Sequence, residues 1–279
     1  MLSYQHKFHA GSAADVHKHV ALSLLLAHLA QKEKPFTVID LYAGEGDYGL
    51  GTPEAQKTRD FDSGIARLWA RTDIPAQLQR YMDIVRGLNP DGTLVRYPGS
   101  PAIARDYLRE GDQLILNELH TTSFPVLKRW ARLDERIAVH QREGLEALIA
   151  LTPPKIRRGL ALIDPSYEVK TEYADVPQEV GAALHRWAEG IFVVWYPLLA
   201  DERHKALTSA FTHCDAPTLA CELTFAPTKD KASGLRGTGL IVVNPPWQFD
   251  VAMKETGAWL GTVLGGRHSL AWLKAPKVS

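Results

Sequence analysis

The segment Ala161-Leu-Ile-Asp164-Pro165-Ser166-Tyr167 places a carboxylate, a prolyl carbonyl and an aromatic ring directly after an apolar run. An exocyclic amine on a nucleobase is a poor nucleophile, because its lone pair is delocalised into the ring. Two acceptors on its hydrogens, the Asp164 carboxylate and the Pro165 carbonyl oxygen, would raise electron density on nitrogen as an electrophilic carbon arrives. Tyr167 offers a face for stacking the base, worth about 1–3 kcal/mol in comparable contacts. A strand that simply ends in a turn capped by Asp164 explains the acid and the proline but not the ring. Asn244-Pro245-Pro246-Trp247 spells a similar tetrapeptide, so its position in the fold decides between the two.

A second segment, Asp40-Leu-Tyr42-Ala-Gly44-Glu-Gly46-Asp-Tyr-Gly49, is a glycine-rich loop after a β-rich run and contains a full GxGxxG. The dinucleotide reading needs a helix opening at the glycines and a second strand ending in an acid about 20 residues later. Here Gly51-Thr52-Pro53 follows, and no β run occurs before residue 94. The same glycines also suit close backbone approach to the amino-acid end of S-adenosylmethionine, with an acid nearby for its ammonium group; a merely tight turn is the third reading. Glu118 closes Leu114–Leu119, where an acid can accept both hydroxyls of a ribose, although a solvated strand-end residue is the plain alternative. Glu143-Gly144 follows the next β run and suits the edge of an adenine ring.

The amino-terminal Tyr4-Gln-His6-Lys-Phe-His9 and His17-Lys18-His19 invite a metal hypothesis, but residues two apart on a helix point to different faces, so no metal is expected. An arm carrying Tyr4, His6 and Lys18 could instead close over a substrate. Lys229, Lys231 and Arg236 lie in a presumed hairpin loop where they could meet phosphates.

These groups need a frame. Ser12 and Asp15 resemble a capping box opening a helix that runs to about Lys32, and Phe36–Leu41 reads as a buried first strand. Further β runs follow at Leu114–Leu119, Arg136–His140, Gly159–Ile163, Ile191–Tyr196, Leu219–Phe225 and Gly239–Val243, giving seven strands. Intervening helical patterns, notably Val176–Glu189 and Asp201–His213, predict right-handed βαβ units and a mostly parallel sheet. Only Ala226–Thr238 separates the last two strands, so the final one should be antiparallel. Its carboxyl end, and with it Asn244–Trp247, then faces away from the ligand crevice. The stretch after the first strand is too long for a simple crossover and reads as a helical insertion, with helices at Gly64–Arg71 and Pro75–Gly87 and a Ser100-Pro101 cap beyond it. The expected division is a core of 1–51 and 94–279, with the arm, and an insertion subdomain of 52–93.

Composition narrows the class. The 32 Lys+Arg equal the 32 Asp+Glu, which excludes binding nucleic acid by a strongly basic surface alone. Two cysteines cannot build a disulfide framework or a CxxC zinc site. The longest apolar run, Ile191–Ala200, is about half of what a membrane helix needs. The amino terminus lacks the apolar core of a secretory signal. A cytoplasmic, non-membrane protein is expected.

Several strings together resemble the bacterial 23S rRNA adenine-N6 methyltransferase J family: Met1–His6, Phe8–Gly11, Ala14–Val16, Tyr97–Pro101, Arg158–Leu160, Ile163–Pro165 and Trp195–Pro197. The similarity spans essentially the whole chain. It implies an α/β, Rossmann-like class I methyltransferase sheet with the helical insertion, S-adenosylmethionine as donor, one adenine of 23S rRNA as acceptor, and a lone enzyme without metal. Carried to matching positions, it implies Asp164 as catalytic acceptor with Pro165 and Tyr167 beside it, and Tyr4 on the RNA with His6. Lys18, His19, Asp40, Tyr42, Gly44, Gly46, Ser100, Glu118, Glu143 and Gly144 would line the donor site. Ser166 stands where the family has a second proline, Tyr42 where the relative has His, and Glu143 where it has Asp. The rival readings are a nicotinamide-dependent oxidoreductase using the glycine loop and a nucleic-acid-binding protein without chemistry.

Overall fold

The structure is a computed structural model and describes residues 5–225 and 234–276. Helix α1 (Ala13–Ala30) opens where Ser12 Oγ accepts the Asp15 N–H at 3.2 Å, and apolar side chains on every face bury it. The chain then forms β1 (Thr37–Asp40), β2 (Asp47–Gly49), the insertion helices α2 (Pro53–Thr58), α3 (Ile65–Trp69) and α4 (Gln79–Gly87), and β3 (Arg96–Pro98). Five alternations follow: α5 (Ser100–Tyr107), β4 (Gln113–Asn117), α6 (Ser123–Ala131), β5 (Ile137–His140), α7 (Gly144–Leu151), β6 (Gly159–Ile163), α8 (Glu172–Arg186), β7 (Ile191–Leu199), α9 (His204–Phe211) and β8 (Thr218–Phe225). The chain ends with β9 (Leu235–Val243), α10 (Phe249–Leu264) and β10 (Gly266–Lys274).

The large sheet has the order β5-β4-β1-β6-β7-β9-β8-β10, with β1, β4, β5, β6 and β7 parallel and β9 antiparallel to both of its neighbours. Its first seven strands follow the 3-2-1-4-5-7-6 order of a class I methyltransferase sheet. Strand residues alternate between two cores. Val38, Leu160, Leu162, Val193 and Leu240 face the side of α1, α5 and α10, whereas Ile39, Ala161, Ile163, Val194 and Ile241 face the side of α7, α8 and α9. Burial on both faces explains why these strands read as continuous apolar runs. Ile65, Leu68, Tyr81, Met82 and Val85 of the insertion pack into the first core with α1.

Several expectations are corrected. The sheet has eight strands, because β10 adds antiparallel to β8 at the edge, with half-exposed and exposed residues alternating along it. Strand β7 continues through Pro197 to Leu199, since β6 pairs with it only as far as Val194 and no neighbour on that side needs the missing N–H. Ser100 is the first residue of α5 and Gly99 is its cap. Helix α8 opens earlier, at Glu172. The short pair β2 and β3 lies where only loop was expected, and it clasps the two ends of the insertion. Among the described residues, no helix is long and apolar enough to cross a membrane.

Candidate active site

A cavity of about 990 Å³ opens beyond the carboxyl ends of β1, β4, β5 and β6. From β1 the chain steps outward to β4 and β5, whereas from β6 it steps the other way to β7, so the boundary between β1 and β6 is the switch point at which open α/β sheets bind ligands. Its size suits a nucleoside-sized molecule.

The glycine loop forms one wall. Gly44 and Gly46 have φ of 65° and 94°, and a side chain at position 46 would meet the Trp130 ring at 2.7 Å. The Gly44 N–H donates to Glu118 Oε2 at 2.8 Å, and the His120 N–H donates to the other oxygen at 2.6 Å. Glu118 therefore ties two strand ends together, and each oxygen retains acceptor capacity. Burial raises its pKa, against the lowering effect of these two N–H groups. Instead of opening a helix, the loop runs into β2. There the Gly99 N–H donates to the Gly46 carbonyl at 2.8 Å, which delivers Ser100 to the cavity wall. Ser100 hydrogen-bonds Asp40, which lies behind the wall at 1 % exposure; burial pushes Asp40 up to about 6, and one of its oxygens has no partner.

Helix α1 and the arm form the second wall. Lys18 Nζ donates to Asp164 and, at 3.1 Å, to Asp15. Asp15 also accepts the Gly11 N–H at 3.0 Å and pairs with His6 Nε2 at 2.9 Å. Burial opposes charge on both members of this chain. The Asp164 and Asp15 carboxylates nevertheless hold Lys18 well above the usual lysine value, and His6 and Lys18 hold Asp15 well below the usual carboxylate range. His19 Nδ1 meets the Tyr97 hydroxyl at 2.8 Å, while its Nε2 is buried without a partner. Burial, then the Lys18 charge, keeps that imidazole neutral.

The third wall joins Tyr42 to α7. A Cβ on Gly144 would lie 2.3 Å from Tyr42 Cζ, so only glycine lets the ring pack there. Glu143 caps α7 by accepting the Glu146 N–H at 2.8 Å. The Tyr42 hydroxyl is buried without a partner, and burial raises its pKa.

Asp164, Pro165 and Ser166 line the cavity, as do His6, Lys18, His19, Tyr42, Gly44, Ser100, Glu118, Glu143 and Gly144. Asp40, Gly46 and Tyr167 do not. Tyr167 has a left-handed φ of 54° that turns its ring into the second core, 4.6 Å from the Tyr173 ring, with its hydroxyl donating to the Trp195 carbonyl at 2.9 Å. Trp195, fixed by Nε1 on Thr238 Oγ1 at 2.7 Å, lines the cavity in its stead, as do Tyr42 and Tyr48. Arg236 is exposed near the start of β9 and is not part of the wall. Tyr4, Lys229 and Lys231 lie outside the described residues. Asn244 Nδ2 donates to the Ala188 and Gly190 carbonyls at the amino end of β7, so the second tetrapeptide sits at the opposite end of the sheet.

The sequence reading also passed over Asp15, Trp195 and Glu172 as site residues. Asp15 had a signal, three residues before Lys18 on one helix face; Glu172 had none, because its place depends on how α8 packs beside α7. Seven carboxylates line the cavity against two side-chain cations, Lys18 and Arg186. Among the described residues, no group of three or more His, Cys, Asp or Glu is arranged to hold a metal ion.

A family model described as Ribosomal RNA large subunit methyltransferase D, RlmJ, matches residues 33–274. Ribosomal RNA large subunit methyltransferase J of Escherichia coli (strain K12) is 40% identical over 278 residues, 98% of this chain and 99% of that protein. The protein of the same name from Haemophilus influenzae is 38% identical over 274 residues, 98% of this chain and 97% of its own length. The crystal structure of protein LPL1258 from Legionella pneumophila superposes with a TM-score of 0.88 at 32% identity, covering 95% of this chain and 98% of that one.

Proposed function

Because the chain belongs to the RlmJ family of ribosomal RNA large subunit methyltransferases, we propose that it transfers a methyl group from S-adenosylmethionine directly to N6 of one adenine in 23S rRNA. The residues present fit that donor. His19 Nε2 and the Tyr42 hydroxyl are buried polar atoms without partners at the cavity, and such groups call for a ligand. Glu118 would accept the ribose hydroxyls, Ser100 and His19 would hold the amino-acid end, and Glu143 with Gly144 would border the adenine. When bound, the donor supplies a methyl carbon activated by a sulfonium leaving group.

The observation that carries the reading is that Asp164 and Pro165 line the same cavity as these groups. The Asp164 carboxylate and the Pro165 carbonyl accept the two amine hydrogens, and Asp164 takes the surplus proton as the new C–N bond forms. Lys18 holds the Asp164 carboxylate in place without itself accepting a proton. Trp195 provides the stacking face, and the target base must leave its helical stack to reach this depth. His6 and the arm border the entrance, with Tyr4 and the loop of Lys229 and Lys231 assigned to the RNA. The enzyme is read as a cytoplasmic monomer. The oxidoreductase reading loses its support because no helix opens at the glycines.

Incubating the protein with undermethylated 23S rRNA and labelled S-adenosylmethionine tests the reading, with mass spectrometry of digested nucleosides locating the methyl group. Asp164→Asn should lower kcat by about 10²- to 10⁴-fold while leaving donor affinity nearly unchanged. An inert wild type, or label on any atom other than adenine N6, would overturn it.

A further inference from the structure

Glu172 is the first residue of α8, and the reading above gives it no role. It lines the cavity with one carboxylate oxygen buried and unpartnered. Its neighbours in the wall are already committed: Glu118 holds two backbone N–H groups, Glu143 caps α7, and Asp164 is paired with Lys18. Lys18 is itself spent on two carboxylates, which leaves Arg186 as the other side-chain cation against an excess of acids. The Tyr42 hydroxyl, also buried and unpartnered, feels Glu143, Glu172 and Asp164 together. The cavity thus holds negative charge that no residue of the wall cancels.

S-Adenosylmethionine and its demethylated product differ by one positive charge on sulfur. We propose that Glu172 makes the cavity discriminate between them by charge, binding the sulfonium donor more tightly than the neutral thioether product and so favouring product release. The inference rests on the S-adenosylmethionine reading. It has a titration signature. Burial, reinforced by Glu143 and Glu168 and opposed by the Tyr167 and Val169 N–H groups, pushes Glu172 up to about 7. Tyr42, Tyr167 and Tyr173 also couple to Glu172, and all three stay neutral near pH 7, because burial raises each of their pKa values. A cation in the cavity therefore draws a proton off Glu172, whereas an uncharged sulfur does not.

Calorimetric titration of the full chain with S-adenosylmethionine and with S-adenosylhomocysteine tests this. In the wild type the affinity ratio in favour of the donor should rise about three- to tenfold between about pH 6 and 7.5, with proton release seen only for the donor. Glu172→Gln should weaken the donor by about three- to tenfold, leave the product within about twofold and flatten the pH dependence. Equal weakening of both ligands, or a wild-type ratio independent of pH, overturns the inference. Should Glu172→Gln fail to fold, the wild-type pH series decides alone. Failure of both ligands to bind the wild type overturns the donor reading itself, and the inference with it.

Discussion

Replacing Lys18 by methionine removes one cation from two carboxylates while nearly preserving volume. The side chains of Lys18 and Asp15 are 5% and 3% exposed, so water cannot substitute for the lost partner. Removing one member of a buried ion pair typically costs about 3–5 kcal/mol, because the remaining charge stays buried uncompensated. In a chain of 279 residues that corresponds to a fall in Tm of about 5–9 °C. The pH dependence has a definite sign. The folded pKa of Asp15 lies well below its unfolded value, so its contribution is present above the unfolded pKa and is lost as pH falls through the folded one. Lys18→Met should raise the folded pKa of Asp15, and the penalty should therefore shrink as the carboxyl protonates in acid. Urea titrations at several pH values, read as shifts in midpoint at constant slope, measure this, and adding Asp15→Asn should recover much of the loss. A loss below about 1 kcal/mol, or no recovery in the double variant, would refute the claim that this chain of charges is buried and mutually dependent.

Gly144→Ala should destabilise the protein by about 1–3 kcal/mol and weaken S-adenosylmethionine binding, because the added methyl group displaces the Tyr42 ring from the cavity wall; an unchanged dissociation constant would contradict the packing. His17 and His268, rings 5.5 Å apart between α1 and β10, are held neutral by burial at about 3 and about 4. Their stability contribution is complete above the unfolded histidine pKa and falls as pH drops below it, by about 2 kcal/mol for His17 alone near pH 5. His17→Phe should flatten that acid limb in thermal melts.

Much of the frame was legible because its signals are local. Strand β6 begins and ends where Gly159–Ile163 is apolar, α1 starts at the Ser12 cap, and the short hairpin connection made β9 antiparallel, which in turn removed Asn244–Trp247 from the crevice. Edge strand β10 carried a signal that was passed over: His268, Leu270 and Trp272 alternate with exposed residues, as in a half-buried strand. The clasp of β2 and β3 was not legible, since three residues per strand are too few for periodicity and they pair across the whole insertion.

The order of residues along the chain determined which groups end each strand, and thus that Asp40, Glu118 and Asp164 gather at one edge of a parallel sheet. That follows from strand direction alone, because parallel strands deliver their carboxyl ends to the same side. Which side chains then face the cavity was decided by tertiary packing. Tyr167 turns into the core and Trp195 takes the wall, Glu172 arrives from α8 with one carboxylate oxygen unpartnered, and Asp15 joins Lys18 through a helix buried on every face. These outcomes depend on contacts between segments distant in sequence, whose energies exist only once the layers have closed and water has left the site.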